Sequence, residues 1–314
     1  GVSGMQTKEE DVVTTLFVAN THTQLLFFTT DGMVYKLKTW RLPQGGRTSK
    51  GKAIVNILPI PAGVSIAAIM PVDRDEKDWD DLQVVFATSA GTVRRNKLSD
   101  FTNVKANGKI AMKFEDGSND RLIGVELLME TDDAQLSTKN GKAIRFASEA
   151  VRAMQSRSST GVRGITLKGD DEVISLSVLR GFDAATEERD QYLKAAPWKD
   201  NENEPELSAE RMADFSEHEE FVLTVCANGY GKRSSAFEYR QSGRGGQGIL
   251  NIDNIKRNGT VAPYDDQKIA VAITKAFLAV EGVQAKQSER IEQITQTLTR
   301  KISTTLKSRW PMDH

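Results

Sequence analysis

Apolar and polar positions alternate with period two through most of the chain, and glycine-containing turns interrupt the alternation at regular places. Four stretches share one plan. They are Leu25–Pro43 (LLFFTTDGMVYKLKTWRLP), Leu82–Phe101 (LQVVFATSAGTVRRNKLSDF), Ala134–Val151 (AQLSTKNGKAIRFASEAV) and Phe221–Tyr239 (FVLTVCANGYGKRSSAFEY). Each reads as an apolar strand, a Thr/Ser/Asn turn ending in glycine, and a second strand carrying Lys and Arg. The turn glycines are Gly32, Gly91, Gly141 and Gly229, spaced 59, 50 and 88 residues apart. Asp31-Gly32, Asn140-Gly141 and Asn228-Gly229 suit hairpin turns that need positive φ. About 14 to 17 residues after each turn glycine comes a further stretch rich in Gly and basic residues: 47–57, 105–114, 158–167 and 243–252. A unit of about four strands in about 50 residues has the length of a propeller blade.

Two segments depart from this rhythm. Residues 182–220 stretch the last interval, show little apolar periodicity and hold 13 acidic against 4 basic residues. They read as a solvated loop, or as an acidic arm competing with nucleic acid for a basic surface. After Ile252 the period becomes helical. Ile269, Ala272, Ile273, Ala276, Phe277 and Val280 recur at three and four before Gly282, and a second helix fits Glu289 to Leu306. The expected division is 1–253 for the repeats, with the insert at 182–220, and 254–314 for the helical segment.

Charge sharpens the picture. The 314 residues carry 42 basic and 43 acidic side chains, a net charge of −1. That balance conceals a segregation. Asp31–Lys52, Ala90–Lys113, Lys139–Lys168 and Tyr230–Arg257 together hold 25 basic against 5 acidic residues. Cations recurring at the same place in every unit form a stripe able to follow a phosphate backbone. Ordinary solvated edge residues are the other reading of the same pattern. The residues expected to meet phosphate are Lys36, Lys38, Lys50, Lys52, Arg94, Arg95, Lys142, Arg145, Arg163, Lys232, Arg233 and Arg244. No recognition helix, zinc finger or aromatic RNA-binding signature points to base readout.

One cysteine, Cys226, read as a core thiol on a strand, excludes a disulfide framework within the chain. His22, His218 and His314 sit in no motif, so neither a metal site nor a catalytic residue is expected. No apolar run reaches the roughly 18 residues of a membrane span, and the opening residues do not read as a signal peptide, so the cytoplasm, with nucleoid association, is the expected location.

The stretches LFVANTHTQLLFFTTDGMVYKLKTWRLPQGGRTSKGKAIVNILPI and FVLTVCANGYGKRSSAFEYRQSGRGGQGILNI closely resemble the C-terminal domain of DNA gyrase A, and the resemblance spans about 1–252. It implies a mainly β fold: a β-pinwheel, a propeller-like disc of about six four-stranded blades, followed here by an α-helical segment. It also implies a non-catalytic module of a type IIA topoisomerase that wraps double-stranded DNA on a basic rim to support negative supercoiling. The partners implied are the remainder of gyrase A, and gyrase B. The catalytic tyrosine and the ATPase of that ATP-dependent enzyme belong to other parts, so this chain is not expected to be an enzyme by itself. The family's Q-R-R-G-G-K-G box is absent, and GRGGQG (Gly243–Gly248) is its nearest echo, or else a simple corner turn.

From Ile255 the chain resembles a truncated ATP-cone, the nucleotide-binding module of ribonucleotide reductase large subunits, in its K-R-N-G run and the start of the following helix. That resemblance implies an ATP or dATP site using Lys256, Arg257, Asp265 and Lys268, with no cofactor needed for DNA binding. A helical hairpin that packs or dimerises is the plainer reading. The functional alternatives to DNA wrapping are therefore a nucleotide-responsive regulator and a protein-interaction propeller.

Overall fold

The computed structural model describes residues 15–46, 49–154, 159–196, 198, 205–226 and 231–253. The chain divides into two compact units, Gly1–Asn254 and Ile255–His314. Every described residue belongs to the first; Gly229, and the whole helical segment with Lys256, Arg257, Asp265 and Lys268, lie outside the described residues.

The hairpins expected from the repeats form. The first is β1 (Gln24–Thr29) with β2 (Met33–Lys38), followed by β3 (Ile66–Val72). Next come β4 (Gln83–Thr88), β5 (Thr92–Lys97), the two-residue β6 (Lys109–Ile110) and β7 (Leu122–Leu128). The third group is β8 (Asp133–Thr138), β9 (Lys142–Ala147), β10 (Val162–Arg163) and β11 (Val173–Leu179). Helices α1 (Thr186–Ala195) and α2 (Ala209–His218) precede β12 (Phe221–Val225), β13 (Gly231–Ser235) and β14 (Ile249–Leu250).

A Thr-x-x-Gly frame makes the turns. The amides of Gly32, Gly91 and Gly141 donate to the carbonyls of Thr29, Thr88 and Thr138 at 2.9, 3.0 and 3.0 Å. Each glycine then takes φ near +83°, while no other residue type adopts positive φ among the described residues. The left-handed geometry thus falls on glycine alone, and Asp31 and Asn140 stay in ordinary conformations. The buried threonine hydroxyls secure the loops, Thr138 Oγ1 accepting from the Lys142 amide at 3.1 Å.

Three four-stranded antiparallel sheets result, in the orders β3-β1-β2-β6, β10-β5-β4-β7 and β11-β8-β9-β14, with a two-stranded sheet β12-β13. Four strands per blade matches the expectation, but their source does not. The short outer strand of each blade comes from the following repeat: β6 pairs with β2, β10 with β5, and β14 with β9. The reason lies at the turn glycines. The carbonyl of Gly32 accepts from the amides of Ala111 and Met112, that of Gly91 from Gly164 and Ile165, and that of Gly141 from Asn251 and Ile252, at 2.8 to 3.3 Å. Each turn clasps the chain arriving from the next blade. In the earliest stretch expected to supply such a strand, 47–57, the described part forms only a 3-10 turn, Ile54–Asn56.

The core fills the seams between blades. Phe28 of the first blade meets Phe86 and Phe101 of the second, with ring centroids 5.7 to 5.8 Å apart. Ala87 and Val93 of the second pack with Leu136, Ile144 and Phe146 of the third. Burial of each large side chain contributes about 1.5–3 kcal/mol. The register of β12 against β13 makes Leu223 and Val225 the counterparts of Leu26 and Phe28. Those two are fully buried, whereas Leu223 is 72% and Val225 63% exposed, because no described sheet covers this face of the fourth blade. Cys226, expected on a strand, follows β12 and is half-buried.

The acidic insert is a folded helical hairpin, which corrects the expectation of a solvated loop. Ser208 caps α2, its hydroxyl accepting from the Arg211 amide. Phe182, Tyr192, Phe215 and Phe237 stack into a small aromatic core of their own. Arg211 ties the helices together, donating to Glu188 at 2.9 Å, to Asp214 at 2.5 Å and to the Asp183 carbonyl at 2.9 Å.

Candidate nucleic-acid interface

Strand register sorts the expected phosphate contacts into two kinds. Lys36 lies opposite Leu26, Arg95 opposite Val85, Arg145 opposite Gln135 and Arg233 opposite Leu223. Directly opposed residues share a face, and this is the face each blade turns towards its successor. The recurring cation is therefore a seam residue.

Its partners bear this out. Lys36 Nζ meets Glu76 Oε1 at 2.6 Å and also donates to the Thr102 carbonyl. Arg145 Nε pairs with Asp133 Oδ2 at 2.7 Å, and its Nη1 donates to the Ala236 carbonyl at 2.8 Å. Arg95 is half-buried; desolvation pulls its pKa down while Glu130 and Glu149 oppose the shift. Arg94, on the opposite face, is fully buried. It lies 4.7 Å from the Phe86 ring and donates to Asn96, the Ser159 carbonyl and the Ala111 carbonyl. Lys36, Arg94 and Arg145 hold blades to one another, so the expectation that they meet phosphate is corrected: their charges are spent on internal acceptors.

The remaining cations face solvent. Lys38, Lys50, Lys52, Lys142, Arg163, Arg233 and Arg244 are exposed and Lys232 is half-buried. Lys142 and Arg163 occupy one rung of the ladder in successive blades. Lys142 lies opposite Leu250 in the third and Arg163 opposite Thr92 in the second, each rung directly after the turn glycine. Arg244 joins them across the seam. Its Nε donates to the Ala150 carbonyl at 2.7 Å and its Nη1 to the Arg163 carbonyl at 3.1 Å. The GRGGQG loop is held against β10 by Gly245 N to Gly164 O at 2.6 Å and Thr166 N to Gly246 O at 2.8 Å. Backbone carbonyls neutralise no charge, so Arg163, Arg244 and Lys142 form an exposed positive run over two blades. Lys105 and Lys113, beside β6, are exposed in the matching stretch of the first blade and were passed over in the sequence. Their distance from the closing strand was the available signal. Among the described residues, no group of three metal-ligating side chains occurs, and no helix is long and apolar enough to cross a membrane.

Comparison with known proteins agrees with this architecture. The family model of the DNA gyrase C-terminal domain, a beta-propeller, matches residues 1–20, 23–73, 83–128, 136–180 and 220–262. The chain belongs to this family. It is 46% identical over 297 residues to DNA gyrase A of Granulibacter bethesdensis, covering 85% of this chain and 31% of that protein. It is 43% identical over 272 residues to DNA gyrase A of Rickettsia bellii, covering 83% and 30%. The chain thus spans about a third of the length of these relatives. The fold matches the crystal structure of the C-terminal domain of DNA topoisomerase IV, with a TM-score of 0.58 at 20% identity, over 79% of this chain and 64% of that one. The architecture is that of the β-pinwheel domains.

The unmatched stretches of this gyrase-family chain are informative. The gap at 74–82 contains Glu76, the partner of Lys36, and the gap at 181–219 contains the helical hairpin. A second family model, the ATP cone domain, matches residues 254–312.

Proposed function

We propose that this chain is the DNA-wrapping module of a type IIA topoisomerase. It would bind duplex DNA through the phosphate backbone and support negative supercoiling together with the rest of gyrase A and with gyrase B. DNA cleavage and ATP hydrolysis fall to those other parts, and the setting is the cytoplasm and its nucleoid. The observation that carries this reading is the run Lys142, Arg163 and Arg244. These are exposed cations on successive blades, Lys142 and Arg163 on opposite strands of the equivalent rung and Arg244 bonded to the Arg163 carbonyl, none of them in an ion pair among the described residues, in a member of the gyrase family. Lys38, Lys50 and Lys52 extend the set of available charges. Cations spaced by blades bind any sequence, and each phosphate they neutralise releases counterions.

Gel shift of a linear duplex of about 150 base pairs between about 50 and 300 mM salt, with energy transfer between dyes on its ends, tests the reading. Tight, salt-steep binding that draws the ends together is the expected result. Absence of binding at the lowest salt overturns it, and binding without approach of the ends removes the wrapping part.

A second activity rests on the ATP cone match at 254–312. Lys256, Arg257, Asp265 and Lys268 would hold the phosphates of ATP or dATP. Equilibrium dialysis against millimolar ATP should show saturable retention that K256A/K268A abolishes. No retention by the parent chain removes this activity and leaves the DNA reading intact.

A further inference from the structure

The folded insert sits beside the cations of the fourth blade. Phe237, which follows β13, is part of the insert's aromatic core, 5.3 Å from Phe215 and 5.7 Å from Tyr192. Trp198 meets Phe221 edge-on at 5.9 Å, and its indole N–H donates to Glu219 at 2.8 Å. The Arg233 guanidinium lies 3.3 Å from the centroid of that same Phe221 ring. A carboxylate of the insert and an exposed arginine of the fourth blade thus lie at the two ends of one chain of contacts through the Trp198 and Phe221 rings. Elsewhere the hairpin exposes Glu187, Glu210 and Glu217, together with Asp190, which pairs with Arg189 at 2.7 Å, and Glu206, which accepts from Gln191 at 3.0 Å. These carboxylates are fixed in place, because Arg211, the Ser208 cap and the Tyr192 hydroxyl bond to Glu219 make the hairpin a folded body. The first three blades carry no comparable insert, and the gyrase family model leaves 181–219 unmatched.

We infer that the hairpin is an electrostatic stop. It ends the phosphate track at the third blade by keeping a duplex off Lys232 and Arg233, so the length of DNA engaged is set by the insert as well as by the cations. A phosphate approaching Arg233 meets a folded, predominantly acidic hairpin packed on the same blade, whereas the blades of Lys142 and Arg163 carry no such insert. The inference rests on the DNA-binding reading above and adds to it which blades take part.

The test is a double-variant cycle in the full chain. One variant is E187Q/E210Q/E217Q, which leaves Glu188, Asp190, Glu206, Asp214 and Glu219 in their internal bonds. The other is K232Q/R233Q. Duplex affinity is measured across salt for the parent, each variant and the combination. In the parent, K232Q/R233Q should change affinity less than twofold. In the neutralised chain, affinity should rise severalfold and the salt slope steepen by up to about 1.8, about 0.9 per added phosphate contact, and K232Q/R233Q should then reverse the gain. An unchanged slope on neutralisation overturns the inference. So does equal loss from K232Q/R233Q in both backgrounds, which would place the fourth blade in the track already. A parent chain that binds no duplex at low salt removes the DNA reading itself. Binding by the parent with either overturning result removes only the stop.

Discussion

Arg145 and Asp133 form a 2.7 Å ion pair between neighbouring strands of the third blade, with side chains only 7% and 3% exposed. The same guanidinium reaches the Ala236 carbonyl in the fourth blade, and Gln241 donates to the other oxygen of Asp133 at 2.8 Å. A buried pair gains little over an apolar substitute, but breaking it strands a charge. Asp133→Ala should therefore lower unfolding free energy by about 3–5 kcal/mol, read from the urea midpoint. DNA affinity of the remaining folded protein should keep its salt slope. A smaller slope in Arg145→Gln, which removes the cation itself, would place Arg145 on phosphate and contradict the seam assignment.

The turn glycines combine a conformational demand with a spatial one, and two substitutions separate them. A Cβ on Gly141 would stand 2.2 Å from the Ile252 carbonyl, at φ +83°. A Cβ on Gly63 would meet nothing within 4 Å, at φ +81°. Gly63→Ala should cost about 1–2 kcal/mol, the ordinary penalty for a left-handed alanine. Gly141→Ala should cost clearly more and should speed amide exchange at Asn251 and Ile252, whose N–H groups depend on that turn. Equal costs would mean that the closing strand yields freely.

Equivalent positions should differ by their seams. Leu26→Ala opens a cavity between the first two blades and should cost about 2–5 kcal/mol. Leu223→Ala, at the matching register of the uncovered face, should stay within about 0.5 kcal/mol. Chemical denaturation of the two variants decides this, and a large loss at Leu223 would show that another surface covers the fourth blade.

Hairpins were legible because Thr-x-x-Gly between alternating strands leaves few other structures. The origin of the closing strands was not. They are two residues long and pair through main-chain amides, so no side-chain pattern marks their partner. The hairpin insert escaped because α1 is polar almost throughout and its fold depends on four widely separated aromatic rings. At the interface, the recurrence of Lys36, Arg95 and Arg145 was read as a shared rim, although a shared register marks the stacking face equally well. Alternation alone could have warned that neighbours such as Arg94 and Arg95 point to opposite sides of one strand.

The Arg211 network gives the insert a pH dependence with a definite sign. Hydrogen bonds from Arg211 and from the Ala185 amide, with the arginine's charge, hold the Glu188 carboxyl below its ordinary value of 4.5. A depressed carboxylate stabilises the fold above its unfolded pKa and loses that contribution as pH falls through the folded pKa. The hairpin should therefore be intact at neutral pH and loosen only below about pH 4.5. Asp214 shares Arg211 and also faces His218 at 3.2 Å. The methyl resonance of Met212, packed on the aromatic core, reports the change without disturbing the sheets. Glu188→Gln should reproduce the loosened shift at pH 7 and flatten the acid transition. A resonance that moves identically in parent and variant would show that another group controls the hairpin.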